Sequence, residues 1–491
     1  MENRIDPAPH VIGGRDVWQA GVPRLHNSPR DARVAVTEFH MGGEAEVSTA
    51  AEAALAAFEL WSRLSVEQRL DVVRRIPTSL RKFGDNLARA MEREVGKTRA
   101  GALGEIGKTV AIAEYYAAYK PDWFVQVMEP GKGVQRRVIK TPLGVVAVIT
   151  AFNFPLALAL WKIIPAILAG NAVIYKPSEL TPYTAWLIMQ VLKDAGVPDG
   201  VVNLVHGTEL VGKAMIYHDA VKAVSFTGSV PVGDKIRCMA AERGIRAVCE
   251  KGGLNGILVA KMGQSRIPGV VQDAIAAAFS AGGQRCTAAK RLIVTEDLYE
   301  MIREELLRLV REVDVEDFVG PLVNGVALER ALLQIQEGVR AGMVVLHGGT
   351  RLWEASLEHG HYMAPTIMEA GPDALDAGPL VDEVFGPILT LVRVRDYEEG
   401  VRELNRTEYG HCAALYTDNI ELMARFPLDA DVGMAHVNEH TLGGDPDMPF
   451  GGMKSSMDGP PEMGGWGLEF FCQLKAVYVN DGTQAVSATK R

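Results

Sequence analysis

Between Leu143 and Tyr175 the chain is almost continuously apolar, a length that invites a membrane span. Asn153, Pro155, Lys162, Pro165 and Asn171 interrupt it too often for a helix facing lipid. A buried strand over Val145–Thr150, a turn, a helix and a second buried strand over Ala172–Tyr175 account for it better. Strands this uniformly apolar are buried on both faces, which places helices above and below a parallel sheet.

The residues that follow keep the alternation. Val201–Val205, Ala223–Phe226 and Ala247–Glu250 read as further strands, with helices over Thr184–Ala195 and Val230–Glu242 between them. The expected fold class is α/β, with a doubly wound parallel sheet. A second α/β block starts near Gly256. It holds Ile257–Val259, a helix ending at Phe279, Leu292–Val294, helices from Leu298 to Val313, and strands around Thr366, Leu389–Val394 and Ala413–Tyr416. Ahead of both, residues 1–45 read as a polar arm or hairpin, and about 46–120 as helices. Val134–Ile139 reads as an exposed strand, and Lys475–Val479 as a lone strand whose partner lies elsewhere in the chain.

At 491 residues two or three domains are expected. A net charge of -10 argues against nucleic acid and anionic membrane as partners. Residues Met1 to Pro7 lack the apolar core of a signal peptide. Five cysteines, at 238, 249, 286, 412 and 472, show no metal-ligand spacing, so no metal is expected, and they fit a reducing cytoplasm.

The richest local chemistry is in Phe279-Ser280-Ala281-Gly282-Gly283-Gln284-Arg285-Cys286-Thr287, between a helix and a strand. Cys286 there is either a buried structural residue or a nucleophile, with Arg285 a neighbouring charge that would lower its thiol pKa. Asn153, at a strand end, is either a helix-capping turn residue or an oxyanion donor. Lys176 and Glu179 are either a solvated pair or ribose ligands; a Glu at that place repels a 2′-phosphate and so favours NAD over NADP. Phe226-Thr227-Gly228-Ser229 opens a helix and offers a pyrophosphate site, although the G-x-G-x-x-G fingerprint is absent. Glu250 before Gly252-Gly253 is a surface turn or a general base, and Glu383 with Phe385 a strand edge or a nicotinamide site. Two motifs are set aside. In Gly207–Ala214, a near P-loop, Ala214 lacks the magnesium-binding hydroxyl. His436-Val437-Asn438-Glu439-His440 sits where strand and loop are expected, not the helix that zinc ligation needs.

In this order the motifs, ending with Pro449-Phe450-Gly451-Gly452-Met453-Lys454-Ser455-Ser456, resemble the aldehyde dehydrogenase superfamily from about residue 30 to 485. The resemblance implies that Cys286 attacks the aldehyde, that Asn153 and the Cys286 N–H hold the oxyanion, and that Glu250 activates the hydrolytic water. Lys162 and Glu462 match positions that relay protons. Thr150, Ala151, Phe152, Lys176, Ser178, Glu179, Phe226, Thr227, Gly228, Ser229, Gly252, Glu383 and Phe385 would hold the cofactor, and Arg285, Phe154 and Thr287 the substrate. The resemblance also implies a dinucleotide-binding domain over 1–121 and 141–251, a catalytic domain over 252–455, and an oligomerisation ribbon over 122–140 and 468–485, in a homodimer or homotetramer. The segment Gly283–Ala288 with Lys290-Arg291 is similar to the non-phosphorylating glyceraldehyde-3-phosphate branch and to phosphonoaldehyde oxidisers, which suggests a small, anionic aldehyde. A coenzyme A-dependent relative would not need Glu250, and a non-catalytic protein on the same fold would not need Cys286. The chain departs from the family's usual residues at Lys251, Leu254, Ala281 and Pro460-Pro461. Lys251 would alter Glu250, and the two prolines would reshape the substrate entrance.

Overall fold

The computed structural model describes residues 4–18, 23–131, 134–354, 356–371 and 374–480. The apolar stretch folds as strand Val145–Ile149, helix Ala157–Leu168 and strand Ala172–Lys176. Every residue of that helix is buried, which is why it is apolar all round. The sheet around it runs Met457–Asp458, Arg246–Glu250, Val221–Thr227, Val145–Ile149, Ala172–Lys176, Val202–Leu204, His10–Ile12, Arg15–Val17. Its five inner strands are parallel, and their carboxyl ends line up, with Thr227 beside Glu250 and Ile149 beside both Phe226 and Lys176.

Successive residues of Val145–Ile149 point to opposite faces. Val145, Ala147 and Ile149 pack with Val47, Ala50 and Ala54 of helix Glu44–Trp61 and with Met215 and Ile236. Val146 and Val148 pack with Ile163 and Ile167 of the buried helix and with Ile188. Two-sided burial therefore follows from the sequence's lack of polar alternation.

A second, seven-stranded sheet runs Val344–His347, Thr366–Ala370, Ile388–Val394, Ala289–Thr295, Asn255–Val259, Cys412–Tyr416, Met434–Val437, parallel except at the Val344 edge. The lone terminal strand finds its partner in a three-stranded antiparallel ribbon. Cys472–Asn480 pairs along its whole length with Val134–Pro142, which pairs in turn with Val125–Gly131. Residues 132–133 and 481–485 of the expected ribbon, and 1–3 and 19–22 of the expected first domain, lie outside the described residues, as do 355 and 372–373 of the expected catalytic domain.

The N-terminal arm is more structured than a single hairpin. His10–Ile12 and Arg15–Val17 extend the first sheet through Val11 beside Leu204, while Arg24–Ser28, Asp31–Phe39 and Asp6–Ala8 form a separate three-stranded sheet. Strands of three residues are too short to show a period, so the sequence signals only a polar arm or hairpin here. His436 stands in a strand, so the His436–His440 pair is not on a helix. Thr208 caps helix Glu209–Tyr217 through the amide of Leu210.

Candidate active site

A cavity of about 880 Å³ opens at the carboxyl ends of the first sheet. Ala151 to Phe154, Thr227 to Ser229, Glu250 to Gly252, Arg285 to Thr287, Glu383 and Phe385 all line it, together with Glu105 and Lys108 of helix Arg99–Ala117. Motifs separated by up to some 230 positions in the chain thus meet in one space, as expected at the carboxyl edge of a doubly wound sheet.

The loop bearing Cys286 is held from inside. Ala281, Gly282 and Gly283 take successive left-handed conformations at φ 57°, 65° and 65°. A Cβ at Gly283 would lie 2.3 Å from the Gly386 carbonyl, so only glycine fits. Gln284 donates to the carbonyls of Ala281 and Pro321 and accepts from Val323 N–H. The buried Lys290 amine donates to the carbonyls of Gly283 (2.7 Å) and Gly386 (3.0 Å). Asn255 donates to the carbonyls of Cys286 (2.7 Å) and Ala288, and Thr441 to that of Thr287. Lys290 and Arg291 are therefore internal struts rather than substrate contacts; Arg291 donates to the carbonyls of Leu254, Glu403 and Leu404.

Cys286 is half-buried and free. Burial and the facing charge of Glu250 push its thiol well above the ordinary range, so the expected lowering by Arg285 does not prevail. Glu250 is buried at the end of its strand, not on a surface turn. Its Oε1 lies 2.8 Å from His411 Nε2, while Oε2 is buried without a partner. Cys286 Sγ, a Glu250 oxygen and a His411 nitrogen lie within 4.8 Å of one another. Lys251 does not touch Glu250, contrary to expectation. Its buried amine pairs with Asp234 (2.9 Å) and Asp458 (2.8 Å).

Asn153 is not a helix cap. The amides of Leu156 and Ala157 at the start of the following helix donate to Glu105 Oε1 at 2.8 and 3.0 Å, and Asn153 Oδ1 is buried and unpaired. Glu105 also pairs with Lys97 at 2.6 Å. The Phe154 ring lies between two cations, with Lys97 Nζ 3.8 Å and Arg285 5.2 Å from its centroid. Lys97 is neutralised by Glu105. Arg285 and Lys108, both half-buried on the cavity wall, have no ion-pair partner among the described residues, and Arg285 Nε is buried and unbonded. Thr287 is buried beside them.

The opposite end of the cavity fits a dinucleotide. Ser229 precedes helix Val230–Arg243 without capping it, Thr227 Oγ1 is buried and unpaired, and a Cβ at Gly228 would strike the Phe226 ring at 2.4 Å. Bare amides at a helix N-terminus with an unused hydroxyl suit a pyrophosphate. Glu383 Oε1 accepts from Gly253 N–H at 3.0 Å, and a Cβ at Gly252 would fall 1.9 Å from its Oε2. Burial raises the Glu383 carboxyl above its usual range. Phe385 meets Phe152 edge to face at 5.9 Å.

Some expected residues lie outside this cavity. Thr150, Lys176, Ser178, Glu179 and Phe226 do not line it. Lys176 is buried, not solvated. Its amine donates to the carbonyls of Pro177 and Gly207, both at 2.8 Å, and burial lowers its pKa to about 8, while Glu179 is exposed. Lys162 and Glu462 form a buried ion pair, completed by Trp161 Nε1 at 2.9 Å and Ser225 Oγ at 3.3 Å. They line a separate small cavity together with Pro461, and neither Pro460 nor Pro461 lines the main cavity. His411, Glu105, Lys97 and Lys108 carry no motif, and nothing local in the sequence singles them out; only the long-range packing brings them to the site.

The model of the aldehyde dehydrogenase family matches residues 25–477. The alpha-ketoglutaric semialdehyde dehydrogenase of Bacillus subtilis (strain 168) is 32% identical over 460 residues, 92% of this chain and 93% of that one. The 4-trimethylaminobutyraldehyde dehydrogenase of Rattus norvegicus is 31% identical over 456 residues, 91% of each. A solved NAD-dependent aldehyde dehydrogenase from Sinorhizobium meliloti superposes with a TM-score of 0.93 at 29% identity, covering 99% of this chain and 97% of that one. The fold and the cavity are those of a two-sheet oxidoreductase, and the chain belongs to the aldehyde dehydrogenase family. It is an enzyme oxidising small aldehydes with a nicotinamide dinucleotide of the NAD type. Among the described residues no helix is long and apolar enough to cross a membrane.

Proposed function

We propose that the chain oxidises a small aldehyde with an anionic tail to its carboxylic acid, with NAD, by hydrolysis of a thioester on Cys286. The observation that carries the anionic tail is the pair Arg285 and Lys108, two cations on the cavity wall without ion-pair partners among the described residues, Arg285 over the Phe154 ring that Lys97 also covers and Lys108 over the Phe450 ring. Unpaired cations in a part-buried site favour a carboxylate or phosphonate, which Arg285 can take with two parallel hydrogen bonds. The Bacillus subtilis relative's semialdehyde, an acid by name, is of this class; the rat relative's trimethylamino aldehyde is cationic and would be repelled here.

In this reading the Cys286 thiol passes its proton to Glu250, the facing carboxylate within reach, and the thiolate adds to the carbonyl carbon. Asn153 and the Cys286 N–H stabilise the oxyanion. Thr227 to Ser229, Gly252, Glu383 and Phe385 hold the dinucleotide, which supplies the hydride acceptor. Once that first proton has left Glu250 for solvent, Glu250 takes a proton from water as the water oxygen bonds the acyl carbon, releasing the acid and the Cys286 thiolate, which is reprotonated. The buried Lys162–Glu462 pair beside Ser225 relays the proton outward. Lys176 orders the loop from Pro177, and Ser178 and the exposed Glu179 meet the adenosine ribose, with Thr150, Ala151, Phe152 and Phe226 as the floor. Residues 1–121 and 141–251 act as the dinucleotide-binding domain, and 252–455 as the catalytic domain. Five free cysteines suit a cytoplasmic site of action.

The test is a panel of neutral, cationic, carboxylated and phosphonylated aldehydes, read by reduced-nicotinamide absorbance with wild type, Arg285→Met and Lys108→Met. The variants are expected to lose about 10- to 100-fold in kcat/KM for the anionic aldehydes and little for neutral ones. Equal losses for every aldehyde would reject an anion-binding role.

A further inference from the structure

Glu250 has one nitrogen donor. His411 Nε2 lies 2.8 Å from its Oε1, and neither side chain has exposed surface. The other oxygen, Oε2, is buried without a partner, and Glu250 lines the cavity together with Cys286. His411 itself is fixed from several sides. Its neighbour Cys412 donates its N–H to Asn255, the residue that also holds the Cys286 carbonyl. The His411 carbonyl accepts from Met434 N–H at 3.1 Å, Gly410 N–H donates to Ser456 at 3.0 Å, and the imidazole meets the Phe450 ring edge to face at 5.4 Å. A Cβ at Gly253 would lie 2.7 Å from His411 Cβ and 2.9 Å from the Cys286 carbonyl, so a bare glycine is what lets the three strands of chain close on one another.

The charges facing this pair make the histidine matter. Glu383 and Glu462 both present like charge to Glu250, and Cys286 faces it from the loop. Of the nearby cations, Lys162 is committed to Glu462, Lys290 to two carbonyls, and Lys251 to Asp234 and Asp458, while Arg285 and Lys108 act on Cys286. A buried carboxylate among like charges needs a donor to hold it in place. The imidazole supplies one in the tautomer whose Nε2–H donates to Oε1, while its Nδ1 is buried without a hydrogen-bond partner among the described residues.

We infer that His411 is the positioning residue for Glu250: its hydrogen bond to Oε1 fixes the carboxylate's orientation and leaves Oε2 free to accept the proton of the attacking water at Cys286. The inference rests on the reading of Glu250 as the base and deepens it. No atoms are exchanged with His411; the proton moves from water to Glu250 Oε2 as the water oxygen bonds the acyl carbon and the Cys286 sulfur leaves.

The test compares wild type with His411→Leu, which keeps the bulk and removes the donor, and with His411→Gln, which keeps a donor. p-Nitrophenyl acetate serves as a cofactor-free acylating probe, read by phenolate release and by intact mass, across pH, alongside aldehyde turnover. Loss of the donor frees the Glu250 carboxylate to turn. Turnover by His411→Leu should fall about tenfold, and acetyl-enzyme should accumulate on Cys286 because the water is no longer aligned. His411→Gln, which restores a donor, should lie between that variant and wild type; should His411→Leu not fold, the loss and the acetyl-enzyme are read from His411→Gln. Wild-type turnover by His411→Leu, or a loss with no acetyl-enzyme accumulation and no rescue by His411→Gln, would overturn the inference while wild-type turnover leaves Glu250's role standing. A wild type that neither turns over aldehydes nor forms an acyl-enzyme on Cys286 would overturn the reading of the site and the inference with it.

Discussion

At the scale of single residues, the site is a set of buried groups whose unmet needs point into one cavity. Asn153 Oδ1, Thr227 Oγ1, Glu250 Oε2 and Arg285 Nε are all buried without hydrogen-bond partners among the described residues. Native interiors rarely leave such atoms unpaired, and a ligand that satisfies them gains accordingly. Burial and the facing Glu250 push the Cys286 thiol above its ordinary range, which favours the protonated form until a base takes its proton. Glu250→Gln is expected to slow turnover by about 10²- to 10⁴-fold while leaving dinucleotide affinity, read by fluorescence titration, nearly unchanged. At the far end, Glu179→Gln should narrow the preference for NAD over NADP, measured as the ratio of kcat/KM values; an unchanged ratio would remove Glu179 from the ribose site.

At the scale of elements, the loop Ser280–Gly283 sets where Cys286 stands. Ala281 holds φ 57°, a left-handed conformation that costs an alanine about 1–2 kcal/mol. Ala281→Gly relieves this at the expense of chain entropy, for a net stabilisation of about 0.5–1 kcal/mol, readable by denaturant unfolding. Legibility in the sequence divides along the same line. Strands such as Val145–Ile149 and helices such as Ala157–Leu168 announce themselves because burial on all sides leaves no polar residue to blur the pattern. The Cys286 loop was legible because glycines are demanded by backbone approach, a local requirement. His411, Glu105 and Lys108 were not, because each sits on an ordinary helix or strand end and gains meaning only from a partner far along the chain. Lys251 misled for the converse reason: sequence adjacency to Glu250 suggested contact, whereas successive residues leaving a strand point apart, and its amine turns to Asp234 and Asp458.

At the scale of the whole molecule, two sheets share one cavity, and the ribbon meets the first of them at Cys472, whose carbonyl accepts from Arg246 at 2.6 Å. On one face of the ribbon Leu474 and Tyr478 are 71% and 70% exposed, with Met128 in register beside Arg136 and Tyr478. Apolar side chains on a sheet with two open edges mark an association surface. We expect sedimentation to show a homodimer or homotetramer, and Leu474→Glu with Tyr478→Glu to shift it toward smaller species; an unshifted assembly would place the interface elsewhere. The central claim concerns the chemistry that the two sheets bring together, and rapid mixing of enzyme, NAD and a carboxylated semialdehyde tests it most directly. Wild type should turn over steadily, Glu250→Gln should release reduced nicotinamide slowly from the first turnover onward because it can neither take the Cys286 proton nor activate the water, and Cys286→Ala should release none. Steady turnover by Cys286→Ala would contradict the account.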